Sequence, residues 1–396
     1  MRVLLLGVGM QGEAALYDLV RSEVVSEIIA ADSDLQRVES LVARRGYGDK
    51  VHCEQVDASH PHDLQRVMSL APDVVVDLLP VAFIPAVAAS ALAYGAHLVN
   101  TFYVPSALAA LAEEARMQNV TILPQFGLDP GIDLVLLGDA VRSMDEIESL
   151  ITYGAGIPAP NAADNPLRYK ISWTFKGVLE SYYRPARVIQ NGAVLDIDAD
   201  DLFSTPLGHT LDLDPLGELE AFPNGDALDL VKALQLDPTS LDHAGRYTLR
   251  WPGHRDFWKP VVDLGLLRED PVMVGTTPVD RISYLAEALS PELQYQEGEH
   301  DLAIVRVEVT GRVRGQRVRR VSQMLDRYDD QSALSAMSRT VGFTASVGAQ
   351  LIGSGALCRP GLLVPSRDVP GNLLLPELEA RGIRFSHITV PLQDPN

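Results

Sequence analysis

Gly7-Val8-Gly9-Met10-Gln11-Gly12 closes the apolar run of residues 2–7 and opens a helix-like pattern through Ala14, Ala15, Leu16, Leu19 and Val20. A Gly-x-Gly-x-x-Gly turn between a strand and a helix is suited to a pyrophosphate. Gly7 permits the tight turn, Gly9 leaves the backbone open to close approach, and Gly12 lets the helix pack against the sheet. The helix start, with Met10 and Gln11, aims free N–H groups at the phosphates. Asp32 lies 20 residues beyond Gly12, at the end of a second apolar run, Ile28-Ile29-Ala30-Ala31. A carboxylate there accepts hydrogen bonds from both ribose hydroxyls and repels a 2′-phosphate, so NAD is expected, with NADP the alternative because Arg37 is near enough to hold a phosphate. Asp57 follows a third run and is a candidate adenine contact, and Leu79-Pro80 ends a fourth run on the nicotinamide side.

The elements that position these residues repeat regularly. Strand-like runs at 2–7, 28–31, 51–56, 73–79, 97–100 and 121–123 alternate with helical patterns at 14–20, 34–45, 61–70, 83–94 and 105–118. Short apolar strands joined by helices predict a parallel sheet covered on both faces, a Rossmann-type α/β domain over residues 1–127. After Gly127 the pattern changes. Strand-like segments near 149–153, 171–175 and 248–251 and a hairpin over 302–325 predict a second α+β domain with a mixed or antiparallel sheet, residues 128–335. In the hairpin Val305, Val307 and Val309 point one way and Arg306, Glu308 and Thr310 the other, with the return after Gly311–Gly315. A helix near 332–354 and a tail, residues 336–396, are expected to return to the first domain.

Composition narrows the partners. The chain has 396 residues, and 33 Lys+Arg against 53 Asp+Glu give a net charge of -20. Such a field repels phosphate backbones and anionic lipid, so neither nucleic acid nor membrane is an expected partner. An acidic small molecule would need a local basic pocket. Cys53 and Cys358 cannot build a disulfide framework and fit a reducing, cytoplasmic compartment. No secretory leader is expected, and Leu78–Val99, long enough to span a bilayer, is broken by Pro80, Pro85, Gly95 and His97.

Four segments from Phe126 onward resemble the saccharopine dehydrogenase-like family, which includes saccharopine reductases, lysine 6-dehydrogenases and carboxynorspermidine dehydrogenases. They are Phe126-Gly127-Leu128-Asp129-Pro130-Gly131-Ile132-Asp133, then Gly156-Ile157-Pro158-Ala159-Pro160 leading into Asp164-Asn165-Pro166-Leu167-Arg168-Tyr169-Lys170-Ile171-Ser172-Trp173, then Thr248-Leu249-Arg250-Trp251-Pro252-Gly253-His254, and a closing stretch Ala336–Thr344. The resemblance implies oxidation of a carbon–nitrogen bond: hydride leaves the carbon for the nicotinamide, and water hydrolyses the imine. Such chemistry needs a proton carrier and cations for the amino-acid carboxylates. The resemblance puts Asp129, Tyr103 and Lys170 forward as catalytic groups. It puts Arg250, Arg168, Thr248, Asn165 and His254 forward for substrate binding. Arg168 and Lys170, two apart, are expected on one strand face. The expected partner is a small amino-acid substrate, and the expected assembly a homodimer.

Two positions depart from the family. Saccharopine reductases resemble one another in an arginine that grips a substrate carboxylate within Pro-Asn-Arg-Asp; here the stretch is Pro223-Asn224-Gly225-Asp226. Many carry a cysteine at Gly154. Gly225 points toward a simpler substrate such as lysine, whereas Asn165–Lys170 points toward the reductases. Both versions stay open, with a polyamine precursor and a non-catalytic NAD sensor as rivals. Asp196-Ile197-Asp198-Ala199-Asp200-Asp201 has Asp201 where a calcium loop needs glycine, and the histidines at 52, 60 and 62 lack zinc spacing, so no metal site is expected. Arg312, Arg314, Arg317, Arg319 and Arg320 lack the interleaved aromatics of a nucleic-acid surface and read as an exposed or intersubunit hairpin face.

Overall fold

Strands buried on both faces need near-continuous apolar runs, and the first 139 residues supply them. The computed structural model describes residues 1–394 and divides into two units, Met1–Asp139 with Ser338–Arg384, and Ala140–Met337 with Phe385 onward. In the first unit β1 (Arg2–Leu6), β2 (Glu27–Asp32), β3 (Val51–Gln55), β4 (Val74–Asp77), β5 (His97–Asn100) and β6 (Thr121–Leu123) are joined by α1 (Met10–Arg21), α2 (Leu35–Arg45), α3 (Pro61–Met68), α4 (Ile84–Ala93), α5 (Ser106–Ala109) and α6 (Ala112–Met117). The helix expected over 105–118 is thus two short pieces. With β17 (Gly361–Leu362) the sheet runs β17-β6-β5-β4-β1-β2-β3, parallel throughout. The strand order reverses between β1 and β4, which places a ligand crevice at their C-terminal ends. Leu4, Leu6, Val75, Leu98 and Ile122 form one buried face against Leu64, Val87 and Leu92.

Two helices carry the chain between the units, α7 (Ile132–Arg142) and α12 (Ala336–Gly353). The latter packs on α1: a Cβ on Gly342 would collide with the Gln11 carbonyl and stand 2.7 Å from the Ala15 nitrogen. The tail is divided. α13 (Pro365–Asp368) and α14 (Gly371–Ala380) stay with the first unit, whereas β18 (Phe385–Pro391) joins the sheet of the second.

That sheet is mixed. Its order is β10 (His209–Leu213), β11 (Gly217–Pro223), β12 (His243–Arg250), β7 (Glu146–Pro158), β15 (Asp301–Val313), β16 (Gln316–Arg327), β18, with β8 (Ala186–Gln190) against β12 and β9 (Ala193–Ile197) against β8. Only the β7–β12 pair is parallel. The predicted hairpin is present with its valines inward, but the turn is Arg314–Gly315, both at positive φ, and Gly311 lies at a register shift against β7. A separate ribbon pairs β13 (Val272–Val274) with β14 (Thr277–Val279), and α8 (Phe175–Ser181), α9 (Ala227–Ala233), α10 (His254–Asp263) and α11 (Arg281–Leu289) complete the unit. Residues 171–175 are not a strand. Thr174 caps α8 by accepting from the Gly177 N–H, which converts an alternating stretch into a helix entrance. Among the described residues no helix is long and apolar enough to cross a membrane.

Candidate functional site

In the first unit the three glycines do separate jobs. Gly7 has φ +87°, and a Cβ there would stand 2.9 Å from the Leu78 carbonyl oxygen. A Cβ on Gly12 would collide with the Gly7 carbonyl, while one on Gly9 would meet nothing within 4 Å. The space at Gly9 lies at the start of α1, whose N-terminus has no side-chain cap, and a pyrophosphate fits there. Met10 and Gln11 form the first turn of that helix, with Met10 exposed.

Asp32 ends β2. Its Oδ2 accepts from the Val8 N–H at 2.8 Å and from Arg37 Nη2 at 2.7 Å, and its Oδ1 from the Asp34 N–H at 3.1 Å. Burial alone would raise this carboxyl, but the Asp34 and Val8 N–H groups and Arg37 outweigh it and hold the group ionised below the usual range. Arg37 also donates to the Val8 carbonyl at 2.8 Å, so it is latched across the turn. Asp57 is an exposed loop acid whose carboxylate accepts from the Ser59 N–H and hydroxyl and lies 3.0 Å from His60 Nδ1. Leu79 packs partly against the apolar face, and Pro80 is exposed. Tyr103, 38% exposed, follows β5, and Asp129 is half-buried in the turn after β6.

Sequence reading missed two residues at the sheet's C-terminal edge. Asp77 and Asn100 are register partners at the ends of β4 and β5, both buried. Asp77 Oδ1 accepts from the Leu79 N–H at 3.1 Å and Asn100 Oδ1 from the Phe102 N–H at 3.2 Å, while Asp77 Oδ2 and Asn100 Nδ2 have no partner among the described residues. Burial pushes the Asp77 carboxyl up to about 7, and the Leu79 N–H opposes that only weakly. An acid inside the run Val74–Leu79 looks like a strand residue, so nothing in its spacing flags it.

In the second unit β12 alternates. Tyr247 and Leu249 face one apolar cluster, and Arg246, half-buried Thr248 and Arg250 share the other face. Arg250 is 5% exposed. Its Nε donates to the Tyr182 hydroxyl at 3.0 Å and Nη1 to the Leu249 carbonyl at 2.9 Å; its carbon Cζ lies 5.3 Å from the Tyr169 ring centre and 5.8 Å from that of Tyr182. Its register neighbour Glu220 is not its counter-ion, because that carboxylate accepts from the Gly253 and Arg255 N–H groups at the start of α10. Among the described residues Arg250 pairs with no carboxylate. His254 extends the network. Its Nδ1 donates to the Leu167 carbonyl at 3.3 Å, leaving Nε2 to accept the Tyr182 hydroxyl at 2.8 Å. Burial first, and the Arg250 charge second, hold His254 well below its usual value, so it stays neutral near pH 7 and positions Tyr182 instead of titrating.

The remaining predicted residues separate. Arg168 and Lys170 do not share a strand face: the segment is irregular, with Arg168 at φ +47°. Arg168 is exposed, donating to the Pro252 carbonyl at 3.5 Å and lying over Trp251. Lys170 is buried against Glu299 at 2.5 Å and Asp164 at 3.4 Å. Desolvation favours a neutral amine, but Glu299 and Asp164 outweigh it and raise the lysine, so a free base is not available there. Asn165 is occupied in its own turn, accepting from the Leu167 and Tyr169 N–H groups and donating to the Tyr169 carbonyl. Tyr182, the hydroxyl linking Arg250 to His254, was missed because its partners lie 68 and 72 residues away.

Comparison with known proteins assigns the two parts of the chain to two domain families. Residues 3–123 match the family model for the saccharopine dehydrogenase NADP binding domain, and residues 127–383 that for the saccharopine dehydrogenase C-terminal domain. Saccharopine dehydrogenase [NADP(+), L-glutamate-forming] of Saccharomyces cerevisiae is 25% identical, over 98% of this chain and 99% of its own length. Bovine mitochondrial alpha-aminoadipic semialdehyde synthase is 26% identical over 97% of this chain, but the chain spans only 47% of that relative. The solved apo structure of the S. cerevisiae saccharopine dehydrogenase shares the fold with a TM-score of 0.85 at 23% identity, covering 98% of this chain and 99% of the other. The chain belongs to the saccharopine dehydrogenase family, and carries both of its characteristic domains.

Proposed function

We propose that the chain oxidises a carbon–nitrogen bond of a lysine-type amino acid, with saccharopine as the leading substrate. A nicotinamide dinucleotide held by the Gly7–Gly12 turn would supply the hydride acceptor. As the carbon loses hydride, the nitrogen lone pair closes a C=N bond and the nitrogen gives up its proton. Water then adds to that carbon, and the C–N bond breaks to leave an aldehyde or keto acid and an amine. The observation that carries this reading is Arg250, a buried guanidinium that pairs with no carboxylate among the described residues. A buried charge left unpaired costs several kcal/mol and is expected to meet its partner in a ligand. Asp129 carries the proton, and Tyr103, which follows β5, is the second candidate for that role. Lys170 is assigned to structure through Glu299 and Asp164. Reduced-nicotinamide absorbance should rise when the protein is given dinucleotide and saccharopine; no rise with saccharopine or lysine overturns the reading. Lysine itself is the second reading, favoured by the glycine at 225.

Asp32 sets the cofactor choice. The yeast relative's name specifies NADP, but a carboxylate held ionised at the end of β2 repels a 2′-phosphate. Wild-type protein should favour NAD over NADP by about tenfold or more in kcat/KM, and Asp32→Ser, which also releases Arg37, should shift that ratio toward NADP by about tenfold, a change of about 1.4 kcal/mol. A tenfold preference of the unaltered protein for NADP contradicts this. Exposed Leu264, Met273, Val274 and Tyr284 support the expected homodimer, and free Cys53 and Cys358 support a reducing, cytoplasmic compartment.

A further inference from the structure

A second guanidinium in the second unit lacks a counter-ion. Arg184 lies between α8 and β8, two residues beyond Tyr182, the hydroxyl that holds Arg250. Arg184 Nη2 donates to Asn224 Oδ1 at 2.6 Å, its Nε is buried without a partner, and no carboxylate among the described residues pairs with it. Neighbouring acids are already engaged: Asp226 caps α9 through the Leu228 N–H and pairs with Arg187. The guanidinium reaches the space beside Gly225. A Cβ on that residue would lie 3.8 Å from Arg184 Nη2 and 4.0 Å from Cζ.

This location is fastened on two sides. The Asn224 N–H donates to the Arg246 carbonyl at 2.9 Å, and the Arg187 N–H to the Gly225 carbonyl at 3.0 Å. Arg246 precedes Arg250 by four residues on β12, so the strand position that fastens Asn224, the partner of Arg184, stands about 13 Å from the backbone of Arg250. Arginine side chains are long enough to turn that span into a two-ended clamp, and a planar guanidinium recognises a carboxylate bidentately. The glycine at 225 therefore does not leave this half of the site without a cation. The cation comes from another element.

We propose that Arg184 is a specificity-determining residue that binds a second carboxylate of the substrate, so that the substrate is a secondary amine bearing an amino-acid carboxylate on each arm. This inference rests on the function proposed above and decides between its two versions in favour of saccharopine over lysine. A substrate with one carboxylate would satisfy Arg250 and leave Arg184 unused.

The test uses the full chain with Arg184→Gln and Arg184→Lys, measuring kcat and KM for saccharopine and for lysine, dinucleotide affinity, melting temperature and calorimetric binding of glutarate. Arg184→Gln should raise KM for saccharopine at least tenfold, with kcat within about threefold, dinucleotide affinity unchanged and partial recovery in Arg184→Lys. An unchanged KM, an equal loss for lysine, or turnover of lysine without saccharopine overturns the proposal. If neither amino acid is turned over, the functional reading fails while the carboxylate site is still decided by glutarate. Binding to wild type that Arg184→Gln weakens tenfold supports the site, and no binding, or equal binding by both, overturns it.

Discussion

Arg250→Gln should raise the KM for the substrate by roughly 30- to 5,000-fold, the equivalent of about 2–5 kcal/mol for truncating one partner of a buried charge pair. Dinucleotide affinity should not change, because the residues of the glycine turn belong to the other unit. The sign of the stability effect separates binding from scaffolding. In the free protein the guanidinium is buried, and among the described residues it donates to a hydroxyl and a carbonyl but to no carboxylate. Removing an uncompensated buried charge relieves a cost, so the unliganded variant should melt no lower than wild type. The rise in melting temperature that saturating substrate gives the wild type should disappear. A lowered melting point with an unchanged KM would mean that Arg250 serves the fold alone.

Asp77→Asn should remove the loss of stability that this one carboxyl imposes between acid and neutral pH. The Asp77 carboxyl is fully buried, and burial lifts it to about 7 from an ordinary 3.8. Below about pH 4 it is protonated in both folded and unfolded chains and costs nothing. Between about pH 4 and 7 the unfolded chain releases the proton while the folded chain keeps it, so stability falls as pH rises and levels off above 7. The shift corresponds to a penalty of about 4 kcal/mol at pH 8, read as an order of magnitude. Asparagine keeps the acceptor for the Leu79 N–H and cannot ionise. Thermal melts of the variant should therefore lie above wild type at pH 8 and converge with it near pH 4. Parallel curves at all pH values would show that Asp77 is ionised or neutral throughout.

The nucleotide half was legible because its requirements are local. A parallel strand announces itself as an apolar run; Gly7 and Gly12 answer steric demands from Leu78 and from the turn itself, and Gly9 leaves the open space a pyrophosphate needs. The motif around Arg250 singles that residue out, but not its want of an acid among the described residues, which depends on Glu220 being held by the Gly253 and Arg255 N–H groups. Lys170 was misread for the converse reason: Glu299, which keeps it protonated, is 129 residues away. Ile171–Phe175 alternates like a strand, yet the Thr174 cap starts a helix within it, a competition that periodicity alone does not decide. Arg184 illustrates the same limit. Gly225 suggested a missing cation, and only the tertiary fold brings one beside it from forty residues away.

The most direct test follows the hydride itself. Saccharopine deuterated at both carbons flanking its secondary nitrogen is incubated with the protein and oxidised dinucleotide, and the reduced cofactor is examined by mass spectrometry. Transfer from one of those carbons to the nicotinamide predicts a reduced dinucleotide heavier by one deuterium, formed together with a free amine. Reduced dinucleotide without deuterium, or intact saccharopine beside unreduced cofactor, would contradict hydride removal at the carbon–nitrogen bond.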